Sequence, residues 1–163
     1  MTDWDRIVAD HGPTILRLAC RMLGHGPDAE DTVQEAFLQV CRIGQQQPVA
    51  SWGGLLHRVV VHRALDRLRR RKRAPEPLDQ QPIGREDDPQ EIAAARELSD
   101  RLRRAIGRLP QQQAAVFCLR YFDDLPYGRI AESLGIEVGA VATALHKARG
   151  KLKSMLTVSV QED

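Results

Sequence analysis

Two clusters of side chains hold most of the chemistry this sequence has to offer. The first lies in DAEDTVQEAFLQV, Asp28 to Val40, where Glu30, Asp31, Gln34 and Glu35 share one side of a helical pattern. Gathered carboxylates suit either a metal-dependent nuclease or a polar protein interface. No lysine or histidine stands near them at catalytic spacing, and acidic residues favour a first helical turn in any case, so a protein-binding face is the better reading. The second cluster is RALDRLRRRKR, Arg63 to Arg73. Helical spacing sets Arg63, Arg67 and Arg70 or Arg71 along one stripe, with Lys72 and Arg73 at the C-terminal end, where cations suit the helix dipole. Guanidinium groups spaced this way suit phosphates, which they hold without choosing a base sequence.

A third signal is a helix, turn and helix in IAESLGIEVGAVATALHKARGKL, Ile130 to Leu152. Ile130, Ala131 and Leu134 form the apolar side of the first helix, Gly135 the turn, and Val141, Leu145, Ala148 and Leu152 the inner line of the second. Lys147, Arg149, Lys151 and Lys153 follow, as in a DNA-reading helix. Its first turns, however, hold Ala140, Ala142 and Ala144 where polar side chains would be expected.

Charge is segregated along the 163 residues. Residues 1–56 hold 4 basic and 7 acidic side chains, 57–73 hold 8 and 1, 74–100 hold 2 and 8, and 101–163 hold 10 and 6. Two positive surfaces separated by an acidic stretch fit a polyanion gripped in two places. Cys20, Cys41 and Cys118 are odd in number and lack metal-knuckle spacing, and His57 and His62 do not share a helix face. Neither a disulfide framework, a metal nor another cofactor is expected. No run approaches the roughly 20 apolar residues of a membrane span, and the acidic start MTDWDRIVAD does not resemble a signal peptide, so a cytoplasmic protein without membrane insertion is expected.

The elements that must carry these clusters are all helical, because apolar residues recur at helical spacing and strand-like alternation is missing. Helices are predicted from about Asp3 to Leu23, bent or split at Gly12-Pro13; through PDAEDTVQEAFLQVCRIG, with Asp28 as cap; and from about Trp52 to Arg71. Val8 and Leu16 join Ile7, Ile15 and Leu18 as expected core residues of the first. Ala74 to Glu91, with four prolines and a glycine, reads as a linker. From Ala74 to Gln90 it reaches about 55 Å fully extended, while a coil of that length averages about 23 Å, which leaves the two parts free to straddle DNA or to fold onto each other. The expected organisation is therefore a helical domain at 1–73, a flexible linker at 74–91, a second helical domain at 92–157 and a frayed tail at 158–163.

In order and spacing, DAEDTVQEAFLQV, WGGLLHRVVVHRALDRLRRRKR and LPQQQAAVFCLRYFDDLPYGRIAESLGIEVGAVATALHKARGKL resemble regions 2 and 4 of bacterial RNA polymerase sigma factors of the extracytoplasmic-function (ECF) type, within the sigma-70 family. The resemblance covers nearly the whole chain outside linker and tail. It implies that Glu30, Asp31, Gln34 and Glu35 dock on the clamp helices of the polymerase beta-prime subunit. It implies that Gly44 to Ser51 and the start of the next helix capture an unstacked base of the promoter minus-10 element. Trp52, His62, Arg63, Arg67, Arg70 and Arg71 would then hold the opening strand, while Thr143, His146, Lys147 and Arg149 read the minus-35 element. The family usually places threonine, lysine, serine and arginine where this chain has Ala140, Ala142, Thr143 and Ala144, and asparagine at His62. Upstream discrimination of about 1 to 3 kcal/mol per lost base contact would be forfeited. The implied function is a non-catalytic initiation factor that binds core polymerase and promoter DNA, with an anti-sigma protein as a further partner. The rivals are a stand-alone helix-turn-helix regulator, which would bind duplex tightly without polymerase, and a nuclease dependent on Glu30 or Asp31.

Overall fold

The computed structural model describes residues 1–71 and 88–161, with side chains described as far as residue 157. Seven α-helices account for the described regular structure: α1 Trp4–Leu23, α2 Pro27–Gln46, α3 Trp52–Arg71, α4 Pro89–Gly107, α5 Gln111–Asp123, α6 Tyr127–Leu134 and α7 Val138–Gln161. The expected linker falls outside the described residues as far as residue 87, as do Lys72 and Arg73. Pro89 to Glu91 already form the first turn of α4, where the Asp88 side chain accepts from the Gln90 amide. At the other end α7 continues to Gln161, past the expected start of fraying.

The helix ends follow from local chemistry. Asp3 caps α1 by accepting the Arg6 N–H at 3.1 Å, and Gly24, at φ 86°, ends it. Pro13 lies inside α1, which is not split. Ile7 before it and Ile15, Leu18 and Ala19 after it pack into the same core, which holds the helix together across the missing amide. Val8 and Leu16, expected inside, are exposed. The start of α2 also departs from expectation. Gly26 is the cap and Pro27 the first helical residue, so Asp28 lies within the first turn and its carboxylate is free to bind arginine. The helix runs on through Gly44, shortening the following loop to Gln47–Ser51.

Gly44 is required by a close approach. A Cβ built there would stand 2.5 Å from Cη2 of Trp52, whose ring meets Trp4 edge-on with centroids 5.0 Å apart. Gly44→Ala is expected to cost about 1–3 kcal/mol through displacement of this pair, read as a lower urea midpoint at unchanged slope.

Helix α3 is the axis of the molecule. Leu56, Val59, Val60, Val61, Ala64, Leu65 and Leu68 are all buried, covering more of its circumference than one amphipathic stripe. The reason is that α1 and α2 pack on one side and α4, α5 and α6 on the other. The two halves, which a linker of that length leaves free either to separate or to fold onto each other, share a single continuous core. Their seam is also bonded. Arg69 donates to the carbonyls of Gly107 at 3.3 Å and Leu109 at 3.1 Å and to the Gln111 amide oxygen at 2.6 Å. Arg21 donates to the Phe122 carbonyl, and the Ser133 hydroxyl donates to the Gly54 carbonyl at 2.6 Å. His57 on α3 meets Asp123 at the end of α5, Nε2 to Oδ2 at 2.7 Å.

Candidate nucleic-acid interface

The arginine stripe and the carboxylate cluster interlock. Arg63 donates through Nη1 to Glu35 Oε2 at 3.1 Å and through Nε to Gln39 Oε1 at 2.7 Å. Arg67 reaches Glu35 Oε1 at 2.8 Å and Asp28 Oδ1 at 3.3 Å; Arg71 reaches Asp28 Oδ2 at 2.6 Å and the Leu23 carbonyl at 2.9 Å. Successive turns of α3 are thus tied to successive turns of α2, with Asp28 and Glu35, one heptad apart, each shared between two guanidinium groups. Arg70 is exposed and has no ion-pair partner among the described residues.

On the carboxylate helix, Glu30, Asp31 and Gln34 are exposed, while Glu35 is half-buried in the arginine network. Leu38, one turn beyond Gln34, is 59% exposed. A large apolar side chain set among acids and amides is a feature of protein-binding surfaces. It was legible as an extra leucine beside the apolar stripe of α2.

A groove of about 510 Å³ opens between α2 and α3, lined by Gln39, Ile43 and Gln47 on one wall and Leu55, Arg58, Val59, His62, Arg63 and Asp66 on the other. Its lining sets three aliphatic side chains beside two amides, two guanidinium groups, an imidazole and the Asp66 carboxylate, and the aliphatic surface with its amides and guanidinium groups accommodates the flat face and polar edge of a base. His62 is held towards its neutral form, first by burial and then by Arg58 and Arg69, although Asp66 opposes them. A neutral imidazole offers one donor and one acceptor to a base edge. His62 and Arg63 both line this groove. Trp52 instead packs on Trp4 beside Gly44. Arg58 was not singled out from the sequence, although it lies one turn before His62. It is exposed, has no ion-pair partner among the described residues, and lines both this groove and a smaller one at the Gln47–Ser51 loop.

The second basic surface is on α7. Gly135, at φ 67°, makes the turn from α6. Val141, Ala144, Leu145, Ala148 and Leu152 are buried, so Ala144, expected among the exposed turns, is a packing residue. Val138, Gly139, Ala142, Thr143, His146, Lys147 and Arg149 are exposed. The Thr143 hydroxyl is turned back onto the Gly139 carbonyl at 3.0 Å.

Burial pushes the Cys118 thiol far up, and burial and the charge of Glu30 raise Cys20, so neither is poised as a thiolate.

Residues 7–74 match the family model for sigma-70 region 2, and residues 99–152 match that for sigma-70 region 4. The chain is 34% identical to the ECF RNA polymerase sigma factor SigE of Mycolicibacterium smegmatis, over 96% of this chain and 62% of that one. It is 30% identical to the ECF RNA polymerase sigma factor SigW of Bacillus subtilis, over 92% of this chain and 87% of that one. The chain belongs to the ECF sigma factors. This sigma factor spans less than two thirds of the length of its SigE relative. Two solved structures share its fold. One is CnrH in complex with the cytosolic domain of CnrY, with a TM-score of 0.61 at 22% identity, covering 95% of this chain and 88% of that one. The other is the sigma factor RpoE in complex with the anti-sigma factor NepR from Bartonella quintana, with a TM-score of 0.60 at 17% identity, covering 97% and 99%. Region 2 of the sigma factor is thus the α1–α3 bundle with its groove and arginine network. Region 4 takes in the end of α4 and ends in α7. The sigma factor is a transcription initiation factor.

Proposed function

We propose that this sigma factor docks on core polymerase through the outer face of α2 and holds an opened minus-10 strand in the groove between α2 and α3. The groove carries the reading: it sets Arg58, His62 and Arg63 opposite Gln39 and Gln47 beside three aliphatic side chains, next to the loop that the family uses for base capture. Extruding a base costs a few kcal/mol, which stacking and phosphate contacts offset. Arg58, Arg63 and Arg70 supply those contacts, and Arg67 and Arg71 position α3 against α2. Strand opening then follows from tighter binding to the separated state, so no catalytic step is asked of this chain.

Docking rests on Glu30, Asp31, Gln34 and Leu38, with the clamp helices of beta-prime as the partner. Because Glu30 and Asp31 are exposed, Glu30→Lys with Asp31→Lys is expected to weaken core binding at least about tenfold while lowering the unfolding free energy by at most about 2 kcal/mol, the cost of two reversed charges near the positive end of the α2 dipole. Core binding by fluorescence anisotropy, beside urea unfolding, checks this; unchanged affinity would place the docking face elsewhere.

At the minus-35 element, Lys147 and Arg149 supply phosphate contact and His146 and Thr143 the nearest polar groups, with the work done in the cytoplasm where polymerase and promoter meet. No helix among the described residues is long and apolar enough to cross a membrane. An anti-sigma partner that clasps the packed halves is a further part of the proposal; recovery of polymerase alone in a pull-down from the native cell would count against it.

A further inference from the structure

We propose that the packed arrangement of the two halves is a proton-operated latch, in which the imidazolium of His57 ties α3 to Asp123 and so holds α6 over the base-capturing loop. The inference rests on the promoter reading only for its consequence, since the latch itself is a matter of geometry.

Both nitrogens of His57 face acceptors: Nε2 meets Asp123 Oδ2 at 2.7 Å and Nδ1 meets the Gly53 carbonyl at 2.7 Å. A neutral imidazole carries one N–H and one lone pair, so in this position it would turn a lone pair onto an oxygen. Only the doubly protonated ring satisfies both partners. The pair is well covered, the two side chains being 12% and 8% exposed, so a lost proton would leave a nearly buried carboxylate without its countercharge.

Other groups nearby do not replace that charge. On α5, Asp124 is turned to Arg120 at 3.5 Å. From α1, Arg21 is engaged by the Phe122 carbonyl, and the His11 ring lies against Gly53, where an added Cβ would meet it at 3.0 Å. On α3 the neighbouring Arg58 is exposed, and on α6 Glu132 lines the outer groove. Helix α2 contributes Ile43 to that groove, and α4 meets α3 at the far end, around Leu68 and Arg69.

The latch acts on the loop through α6. Ser133 is buried and donates to the Gly54 carbonyl, and Glu132 and Ser133 form one wall of the groove whose other wall is Gln47 to Ser51. In the closed chain α6 thus covers one side of the loop, and a strand phosphate entering that groove would meet the Glu132 carboxylate.

The direction of the pH response is fixed. Burial alone drives His57 towards its neutral form, but the bond to Asp123, the bond to Gly53 and the charge of Asp123 outweigh it, and its pKa is raised above the ordinary 6.5. A group whose pKa is raised in the closed form stabilises that form fully below its unlatched pKa. The contribution is lost as pH rises through the latched pKa, so the closed form is favoured most in mild acid and least in alkali.

Small-angle scattering of the free full-length chain between about pH 5.5 and about pH 9 tests the latch. The expected radius of gyration is about 15 Å in acid, the value for a compact chain of this length, rising above about 20 Å in alkali. The midpoint should lie above the ordinary imidazole value of about 6.5. His57→Gln and Asp123→Ala should each remove the step and remain expanded in acid, with helical content unchanged by circular dichroism. An unchanged wild-type radius across the range, or a step that survives in His57→Gln, would overturn the latch. Affinity for a single-stranded oligonucleotide, measured on the holoenzyme over the same range, separates the two ideas. A scattering step without any change in that affinity leaves the latch standing and overturns the assignment of the loop to base capture.

Discussion

Glu35→Lys is expected to lower stability by about 2 kcal/mol and to weaken core binding only as far as the loosened α2–α3 packing displaces Glu30, Asp31, Gln34 and Leu38. The carboxylate accepts from Arg63 and from Arg67, two turns of α3 that it ties to α2. A lysine there removes both bonds and adds a third cation beside two half-buried guanidinium groups. An exposed ion pair contributes about 0.2–1 kcal/mol, but a reversed charge inside a network also adds repulsion. From the sequence, Glu35 is expected on a solvent face where reversal would spare the fold. The structure overturns that expectation, because the helical rotation that leaves Glu30, Asp31 and Gln34 outward turns Glu35 towards Arg63 and Arg67. Urea unfolding checks the result, and Glu35→Gln, which keeps one acceptor, should recover at least half the loss. A Glu35→Lys chain with an unchanged midpoint would mean that the network contributes nothing in solution.

Arg58→Glu is expected to leave stability and core binding intact while lowering open-complex formation by at least about a hundredfold. Arg58 is exposed, sits at the rim of the groove and has no ion-pair partner among the described residues, so its reversal disturbs no packing. In the holoenzyme the substituted carboxylate would face a phosphate or base edge at close range, replacing a charge-assisted bond with repulsion. Permanganate reactivity of unpaired promoter thymines measures the effect. Arg67→Glu should fail differently, because Arg67 is bonded to Asp28 and Glu35; its loss of opening should come with a lower unfolding midpoint.

Much of this was legible because helical period and charge are both written in sequence order. The apolar spacing of Leu56, Val59, Val60, Leu65 and Leu68 fixes the inner side of α3, and Gly135 marks the turn before α7. What was illegible depends on partners far away in the chain. Val61 and Ala64 are buried because the second half covers the side of α3 that the first leaves open, and no local pattern announces that. Asp28 has the sequence of a helix cap, yet Pro27 takes the first helical position and releases Asp28 to Arg67 and Arg71. Ala144 lies in the same alanine-rich run as Ala142, and only the packing of α7 shows that one faces inward and the other outward. For the same reason His57, set aside because it makes no metal pair with His62, finds its partner in Asp123 across the seam.

The central claim is that this chain gives core polymerase a choice of start site by holding a parted strand in the groove between α2 and α3. Single-round transcription with purified core enzyme on genomic fragments tests it most directly. The account predicts discrete start sites that core enzyme alone does not produce and that Arg58→Glu eliminates. Tight duplex binding by the chain alone, with no new start site when core polymerase is added, would contradict it.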